Sequence, residues 1–224
     1  MEKPAFPILL GTAIRDEVAE AIRKAIASGR LRPGQRLIES KISEEFGVSR
    51  APLREAFCQL ESEGLVISRP RRGTYVRELS HSDAWEIYSL RAALEGLAVS
   101  LVASSADSDT IEGLRSYIRT MKACAAEDDV ARLAEIDFQL HEHLCRSAGH
   151  KRLLEAWLAM IGQIRAFVSV ADMSYLSPKE VVRRHEAVVD AIALHLPGEA
   201  QKLITDDIML VGQYVARVLQ EQGE

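Results

Sequence analysis

Two aspartates and two histidines occupy inward-facing helical positions in the C-terminal half of this 224-residue chain. Asp137 and His141 are four residues apart, so on a helix their side chains point to the same side. His185 and Asp207 fall within later apolar stripes of helical period. Buried carboxylates and imidazoles need partners, and side chains one helical turn apart can hold one cation together. The pattern favours a divalent metal site in a helical bundle, formed by Asp137, His141, His185 and Asp207.

The same four residues allow two other interpretations. Each could be a polar core residue that is satisfied by hydrogen bonds, which is the better explanation for a single buried histidine. Two aspartates and two histidines could also hold the activating cation of a metal-dependent hydrolase. No nucleophile or general-base motif accompanies them, which disfavours the hydrolase.

A second chemical signal lies in "VSRAPLREAF", near the end of the N-terminal third. Arg50 and Arg54 are one helical turn apart, beside an apolar stripe that begins at Leu53. Ser49 is predicted to cap this helix with its side-chain oxygen. Arginines on the outer face of such a helix can bond guanine edges or phosphates, although an isolated pair is usually only solvated.

The elements around these arginines follow a recognisable order. Periodicity predicts helices over Thr12–Ser28, Glu39–Phe46 and Arg50–Ser62, the first of them with an apolar stripe that begins at Ile14. Two short β-prone runs, "LVIS" and "GTYV", flank "RPRR" and predict a basic hairpin. Residues 1–77 are therefore predicted to form a winged helix-turn-helix, in which Arg50–Ser62, the second helix of the helix-turn-helix pair, enters the major groove of DNA.

The rest of the chain is predicted to be all-helical. After a short linker at 78–81, residues 82–224 lose the strand signals and alternate helical stretches with polar or Gly/Pro breaks. The expected fold is mostly α, a winged helix-turn-helix followed by a bundle of about six helices. The six stretches are about 82–104, 107–126, 129–147, 150–173, 178–195 and 198–221.

Charge and composition agree with a two-part protein. Residues 1–77 carry 14 Lys+Arg and 10 Asp+Glu, whereas residues 78–224 carry 14 and 23. A basic head on an acidic body suggests binding to a polyanion. No apolar run approaches the roughly 20 residues that span a bilayer, and the three cysteines are widely spaced. These features favour a cytoplasmic protein with reduced thiols.

The stretch "LRPGQRLIESKISEEFGVSRAPLREAFCQLESEGLVISRPRRGTYV" resembles the DNA-binding domain of the GntR family of bacterial transcription regulators. It carries "PG", "GVSR.PLREA", "L..EGL" and "RG..V" in the family's order. The resemblance implies a transcription regulator, not an enzyme, that is expected to read an inverted repeat as a homodimer. Repression is the expected role, and activation stays open as the alternative. It places the DNA contacts on Ser40, Ser49, Arg50, Ala51, Arg54, Arg72 and Gly73.

Three later segments, "YSLRAALEGLAVSLVA", "EIDFQLHEHLCRSAGHKRL" and "RRHEAVVDAI", resemble FCD, the ligand-binding domain of the FadR branch of this family. The resemblance implies a metal set of Asp, His and two later His, which maps onto Asp137, His141 and His185. Asp207 stands where the last histidine is expected. A carboxylate there shifts the preference from zinc or nickel toward manganese or magnesium.

The FCD resemblance also implies a small carboxylate effector beside the metal. Arg91 and Arg165 could hold such a carboxylate through paired hydrogen bonds. For Arg91 the alternative is an ion pair with Glu95, four residues on in the same helix. A metal-free regulator, with a polar core that satisfies itself or with an apolar effector, stays open as an alternative to the metal-dependent one.

Overall fold

The computed structural model describes residues 11–78, 80–170 and 177–223. The contacts between Cα atoms divide the chain into two compact units. The first unit holds the described part of Met1–Leu79 together with Ala159–Val170. The second holds Ser80–Leu158 and the described part of Ala171–Glu224. The grouping of Ala159–Val170 with the first unit was not part of the sequence prediction.

The first unit is a winged helix-turn-helix, as predicted. Its strands form an antiparallel sheet in the order β1-β3-β2, with Val66 opposite Val76 and Arg69 opposite Gly73. The strand β1 was not predicted, because two residues carry no detectable alternation. The elements are α1 (Gly11–Ala27), β1 (Arg36–Leu37), α2 (Glu39–Phe46), α3 (Arg50–Ser62), β2 (Val66–Arg69) and β3 (Gly73–Val76).

One apolar cluster holds these elements together. The predicted stripes of α1 and α3 meet in it, and both strands of the hairpin add side chains. Ile14 was predicted to belong to the α1 stripe, but it is an exposed residue near the start of the helix. Gly47 ends α2 with a φ of 64°, a left-handed conformation that glycine adopts at low cost. The cluster includes Val18, Ile22, Ile26, Leu53, Phe57, Leu60, Leu65, Val66 and Val76.

Helices make up the remaining elements, and they match the six predicted stretches to within a few residues. The predicted end of the fourth stretch, at 173, lies outside the described residues. Ser80 and Asp83 form a capping box at the start of the first of these helices. The helices are α4 (His81–Ser105), α5 (Ser108–Ala126), α6 (Val130–Ser147), α7 (Lys151–Val170), α8 (Pro178–Ala193) and α9 (Pro197–Gly223).

Helix α4 is apolar on nearly every side. One side packs along α9, where the absence of a side chain at Gly212 admits the ring of Tyr88. By length and composition α4 could span a membrane, but half of its most apolar window is buried inside the unit. Leu90, Leu97 and Leu101 are exposed on one side of α4, and Trp85 is exposed near its start.

Candidate metal centre and nucleic-acid interface

Asp137, His141 and His185 form a cluster between α6 and α8, in which both histidines are buried and Asp137 is partly buried. Each offers a ligand atom, and these atoms lie within 4.8 Å of one another. The Nε2 atom of His185 is 2.9 Å from Oδ1 of Asp137 and 3.1 Å from Nε2 of His141. The other Asp137 oxygen is 3.7 Å from Nε2 of His141. Three of the four predicted metal ligands therefore come together.

The opposite nitrogen of each imidazole fixes the orientation of its ring. His141 Nδ1 lies 2.5 Å from Oε2 of Glu95, and His185 Nδ1 lies 2.8 Å from the carbonyl oxygen of Val181. These acceptors favour the tautomer in which Nδ1 carries the proton and donates it. The two Nε2 lone pairs then face each other beside a carboxylate, an arrangement that requires a proton or a metal cation between them.

Without a metal, His185 is the group that takes up a proton. Burial opposes the charged ring, but Asp137, together with Asp207 and the Val181 carbonyl, raises the pKa of His185 to about 9. Burial likewise disfavours the Asp137 carboxylate, yet His185 and then His141 hold the pKa of Asp137 below its usual range. Two imidazole nitrogens and a carboxylate also suit zinc, nickel or manganese, so the residues present fit a divalent cation.

Glu95, on α4, joins this cluster to two other polar side chains. It is fully buried, and its Oε1 accepts hydrogen bonds from Arg91 Nε at 2.7 Å and from Trp157 Nε1 at 2.6 Å. Burial would raise the pKa of Glu95, but Arg91 and then His141 lower it to about 2. Glu95 was predicted only as a partner of Arg91, and its bond to His141 was not predicted. The sequence signal for a buried polar contact was the pair of charged residues, Arg91 and Glu95, in the largely apolar helix α4.

The two arginines predicted for the effector occupy different environments. Arg91 is buried and forms the ion pair with Glu95 that was the alternative to an effector role. Despite burial, Glu95 raises the pKa of Arg91 above its ordinary value. Arg165 is half-buried and belongs to Ala159–Val170, the segment that groups with the first unit.

Asp207, predicted as the fourth ligand, lies at the edge of the metal cluster. Its Oδ2 is 3.9 Å from Nε2 of His185. Its Oδ1 is engaged by Arg184 Nε at 2.9 Å. The three-residue ligand group found in the described part of the chain does not include it. Arg184 was not singled out by the sequence, because nothing in the spacing pairs it with a residue on α9.

The predicted DNA-contacting residues all lie on the surface of the first unit. Ser49 is the N-cap residue of α3, but its hydroxyl does not make the predicted capping bond, so the helix N-terminus lacks that partner. In the unbound chain Arg54 donates to Glu39 through an exposed contact of 2.9 Å. The exposed positions are Ser40, Ser49, Arg50, Ala51, Arg54, Arg72 and Gly73.

The tip of the wing joins β2 to β3 through three residues and presents exposed arginines. Arg71 has a φ of 61° and Gly73 a φ of 102°, both in the left-handed region that favours glycine. The Arg69 guanidinium lies 5.1 Å from the ring centre of Tyr75, whose hydroxyl donates to the carbonyl oxygen of Arg72 at 3.0 Å. The ring therefore supports the basic tip from the side.

Two family models match the sequence. Residues 14–76 match the model described as "Bacterial regulatory proteins, gntR family", and residues 86–208 match the FCD domain. The second match alone covers more than half of the chain.

Curated relatives and solved structures agree with these matches. The chain is 32% identical over 200 residues to the "Probable D-xylose utilization operon transcriptional repressor" of Paenarthrobacter nicotinovorans, covering 89% of this chain and 88% of the relative. It is 26% identical to the gluconate operon transcriptional repressor of Bacillus licheniformis, covering 92% and 91%. A GntR regulator from Rhodococcus sp. RHA1 shares the fold with a TM-score of 0.75 and 24% identity, covering 91% and 97%. Escherichia coli McbR/YncC does so with a TM-score of 0.74 and 19% identity, covering 93% and 98%.

Proposed function

This chain belongs to the GntR family of bacterial regulatory proteins. We propose that it is a cytoplasmic homodimeric repressor and that a small carboxylate controls its binding to the operator. Like its relatives, it is a DNA-binding transcription regulator and not an enzyme. The proposal divides the chain into a DNA-binding domain at 1–77, a linker at 78–81 and an effector-binding, dimerising domain at 82–224. Repression is the role that the names of its relatives carry.

Operator recognition is assigned to the start of α3 and to the wing. The observation that carries it is the exposure of Arg50 and Arg54 beside the N-terminus of α3, where neither side chain is needed for packing. Arg50 and Arg54 are suited to guanine edges or phosphates, and the helix N-terminus to phosphate. Arg72 and Gly73 on the wing would follow the DNA backbone, with Ser40, Ser49 and Ala51 completing the contact.

The test of operator recognition is selection of binding sites from random duplex DNA by the purified full chain. We expect an enriched inverted repeat, because a two-fold dimer matches a two-fold site. Fluorescence anisotropy with the selected duplex and a scrambled duplex then measures the specificity. Equal affinity for both duplexes would contradict operator recognition.

Homodimer formation is assigned to the outer side of α4. Leu90, Leu97 and Leu101 are exposed there at helical spacing, and an apolar patch of that kind normally marks an interaction surface. We expect Leu97→Asp to give monomers in sedimentation velocity. Leu194→Asp, at an exposed leucine just beyond α8, is the control and should leave the dimer intact. A dimer that survives Leu97→Asp would exclude this part of α4 as the interface.

The cation would be held by Asp137, His141 and His185, with Asp207 at the edge of the group. A bound divalent cation supplies a positive centre that attracts and orients a carboxylate. Glu95 orients His141 and the Val181 carbonyl orients His185, so both rings present Nε2 to the cation. Zinc, nickel and manganese are the candidates.

A metal-free regulator is the second candidate, and one observation favours it. The 2.9 Å contact between His185 and Asp137 is a satisfactory ion pair when the ring is protonated, so the core can satisfy itself. Metal analysis of protein purified without chelator separates the two candidates.

An effector controls either protein only if it binds the DNA-competent and incompetent arrangements unequally. Arg91 is already paired with Glu95, and the effector role of Arg165 stays a prediction.

A further inference from the structure

A largely buried ion pair joins α8 to α9 beside the candidate cation site. Arg184 Nε lies 2.9 Å from Oδ1 of Asp207, and the two side chains are only 15% and 9% exposed. The preceding residue offers a direct comparison, because Arg183 pairs with Glu180 at 70% and 38% exposure. An exposed pair of that kind contributes little, whereas a largely buried guanidinium that is left without any carboxylate is strongly destabilising.

The Arg184–Asp207 pair borders the cation site through the second oxygen of Asp207. That oxygen is 3.9 Å from Nε2 of His185, the residue that follows Arg184. Asp207 therefore presents a carboxylate to a guanidinium and to a cation-binding imidazole together. A small carboxylate bound at this place would need the same two partners.

Charge balance shows what the site lacks once a cation is present. Three carboxylates (Asp137, Asp207 and Glu95) face two guanidinium groups (Arg91 and Arg184), so the cluster carries one net negative charge when both imidazoles are neutral. A divalent cation turns this into one net positive charge. Uncompensated charge in a buried site is costly, so the loaded cluster favours one additional anion.

We propose that Arg184 is the residue that binds the effector carboxylate, and that Asp207 occupies it as an internal substitute until the effector displaces it. The ligand class is a small monocarboxylate, since one negative charge restores neutrality and guanidinium binds carboxylates through two parallel bonds. Displacement breaks a link between α8 and α9, which gives the effector unequal affinity for two arrangements of these helices. This inference rests on the proposed cation site.

Competition between Asp207 and the effector gives the two substitutions opposite effects. Asp207→Asn keeps the shape of the side chain but removes the competing charge, so added carboxylate should bind more tightly. Arg184→Met removes the docking group, so carboxylate should bind more weakly. A purely structural ion pair would weaken binding, or leave it unchanged, in both variants.

The experiment titrates acetate into Co²⁺-loaded full-length protein and follows the visible Co²⁺ absorption and the heat of binding. We expect Asp207→Asn to lower the acetate Kd about 10-fold and Arg184→Met to raise it about 10-fold. Acetate should also stabilise Asp207→Asn against heat more than it stabilises the wild type. Arg183→Met and Asp206→Asn, on exposed neighbours, are the matched controls and should change Kd less than about two-fold.

Each other outcome counts against a defined part of the proposal. If the wild type binds Co²⁺ but neither substitution changes the acetate affinity, only the role of Arg184 is overturned. A lower Co²⁺ affinity in Asp207→Asn with no gain for acetate would make Asp207 a metal ligand and overturn the exchange. A wild type that binds no Co²⁺ overturns the cation site and this inference with it. If Arg184→Met fails to fold, Arg184→Lys replaces it and should weaken acetate binding because the paired bonds are lost.

Discussion

The Nε2 atoms of His141 and His185 lie 3.1 Å apart, while the Nδ1 atom of each ring already has an acceptor of its own. Two lone pairs at this distance repel each other unless a positive charge lies near both. Asp137 adds a carboxylate at 2.9 Å from His185, which increases the demand for a cation. The metal-binding predictions follow from this relationship.

Substitution of Asp137 should empty the cation site. Protein purified without chelator should contain about one divalent metal ion per chain, and Asp137→Ala should lower that content at least about 10-fold. Chelation should lower the melting temperature of the wild type, because a ligand present at about 1,000 times its Kd stabilises by about 4 kcal/mol. Asp190→Ala, at an exposed position on α8, is the control. Equally low metal content in wild type and Asp137→Ala would favour the metal-free regulator.

Substitution of Glu95 should weaken metal binding without removing a ligand. Glu95→Gln loses the anionic acceptor of His141 Nδ1, and such orienting partners are typically worth about 10- to 100-fold in metal affinity. It also leaves Arg91 buried without a carboxylate, which should cost about 3–5 kcal/mol of folding stability. Calorimetric metal titration and thermal unfolding separate the two effects. The double variant Arg91→Met/Glu95→Gln should recover most of the stability but not the metal affinity; recovery of both would make Glu95 a partner of Arg91 only.

Substitution of Arg54 should weaken operator binding and leave the fold intact. Arg54→Ala removes an exposed side chain whose contact with Glu39 contributes at most about 1 kcal/mol to folding. Loss of a base contact should cost about 1–3 kcal/mol of specific DNA affinity, measured by anisotropy against the selected and scrambled duplexes. Arg183→Ala, on the surface of α8, should bind both duplexes as the wild type does. Unchanged specificity in Arg54→Ala would remove Arg54 from the recognition surface.

Substitution of Arg71 should change stability and DNA affinity in opposite directions. Its φ of 61° is unfavourable for a residue with a side chain, so Arg71→Gly should raise the free energy of unfolding by up to about 1 kcal/mol. The same change removes a wing charge and should weaken binding to any duplex, with a salt slope smaller by about one. Arg72→Gly, where φ is not positive, should lower both quantities. A loss of stability in Arg71→Gly would show that its backbone is not strained.

Periodicity was sufficient to predict most of the fold. Helices can be recognised from apolar residues that repeat with helical period, so α2 and α3 were predicted with the bounds that the structure has. The strand β1 was missed because Arg36–Leu37 is defined by its pairing with β3, not by any local pattern. The Ser49 cap was predicted from residue type and position, but a hydroxyl can rotate away from the helix without a change in the backbone.

Contacts between polar residues of the core could be predicted only where both residues lie on the same helix, because their spacing then fixes their common direction. Asp137 and His141 are one turn apart on α6, so their common direction follows from the sequence. Glu95 meets His141 across 46 positions of the chain, and Arg184 meets Asp207 across two different helices. Such contacts depend on how the helices pack, which no single stretch of sequence encodes. Asp207 was therefore assigned to the metal, whereas one of its oxygens is held by Arg184.

The exposed leucines on the outer side of α4 bear on the thermal stability of this protein. In the proposed homodimer the second copy covers these leucines, so dissociation accompanies unfolding and the unfolding midpoint should rise with protein concentration. Dilution then acts as a mild denaturant. The cellular concentration of such a dimer would therefore contribute to the folding stability of each chain.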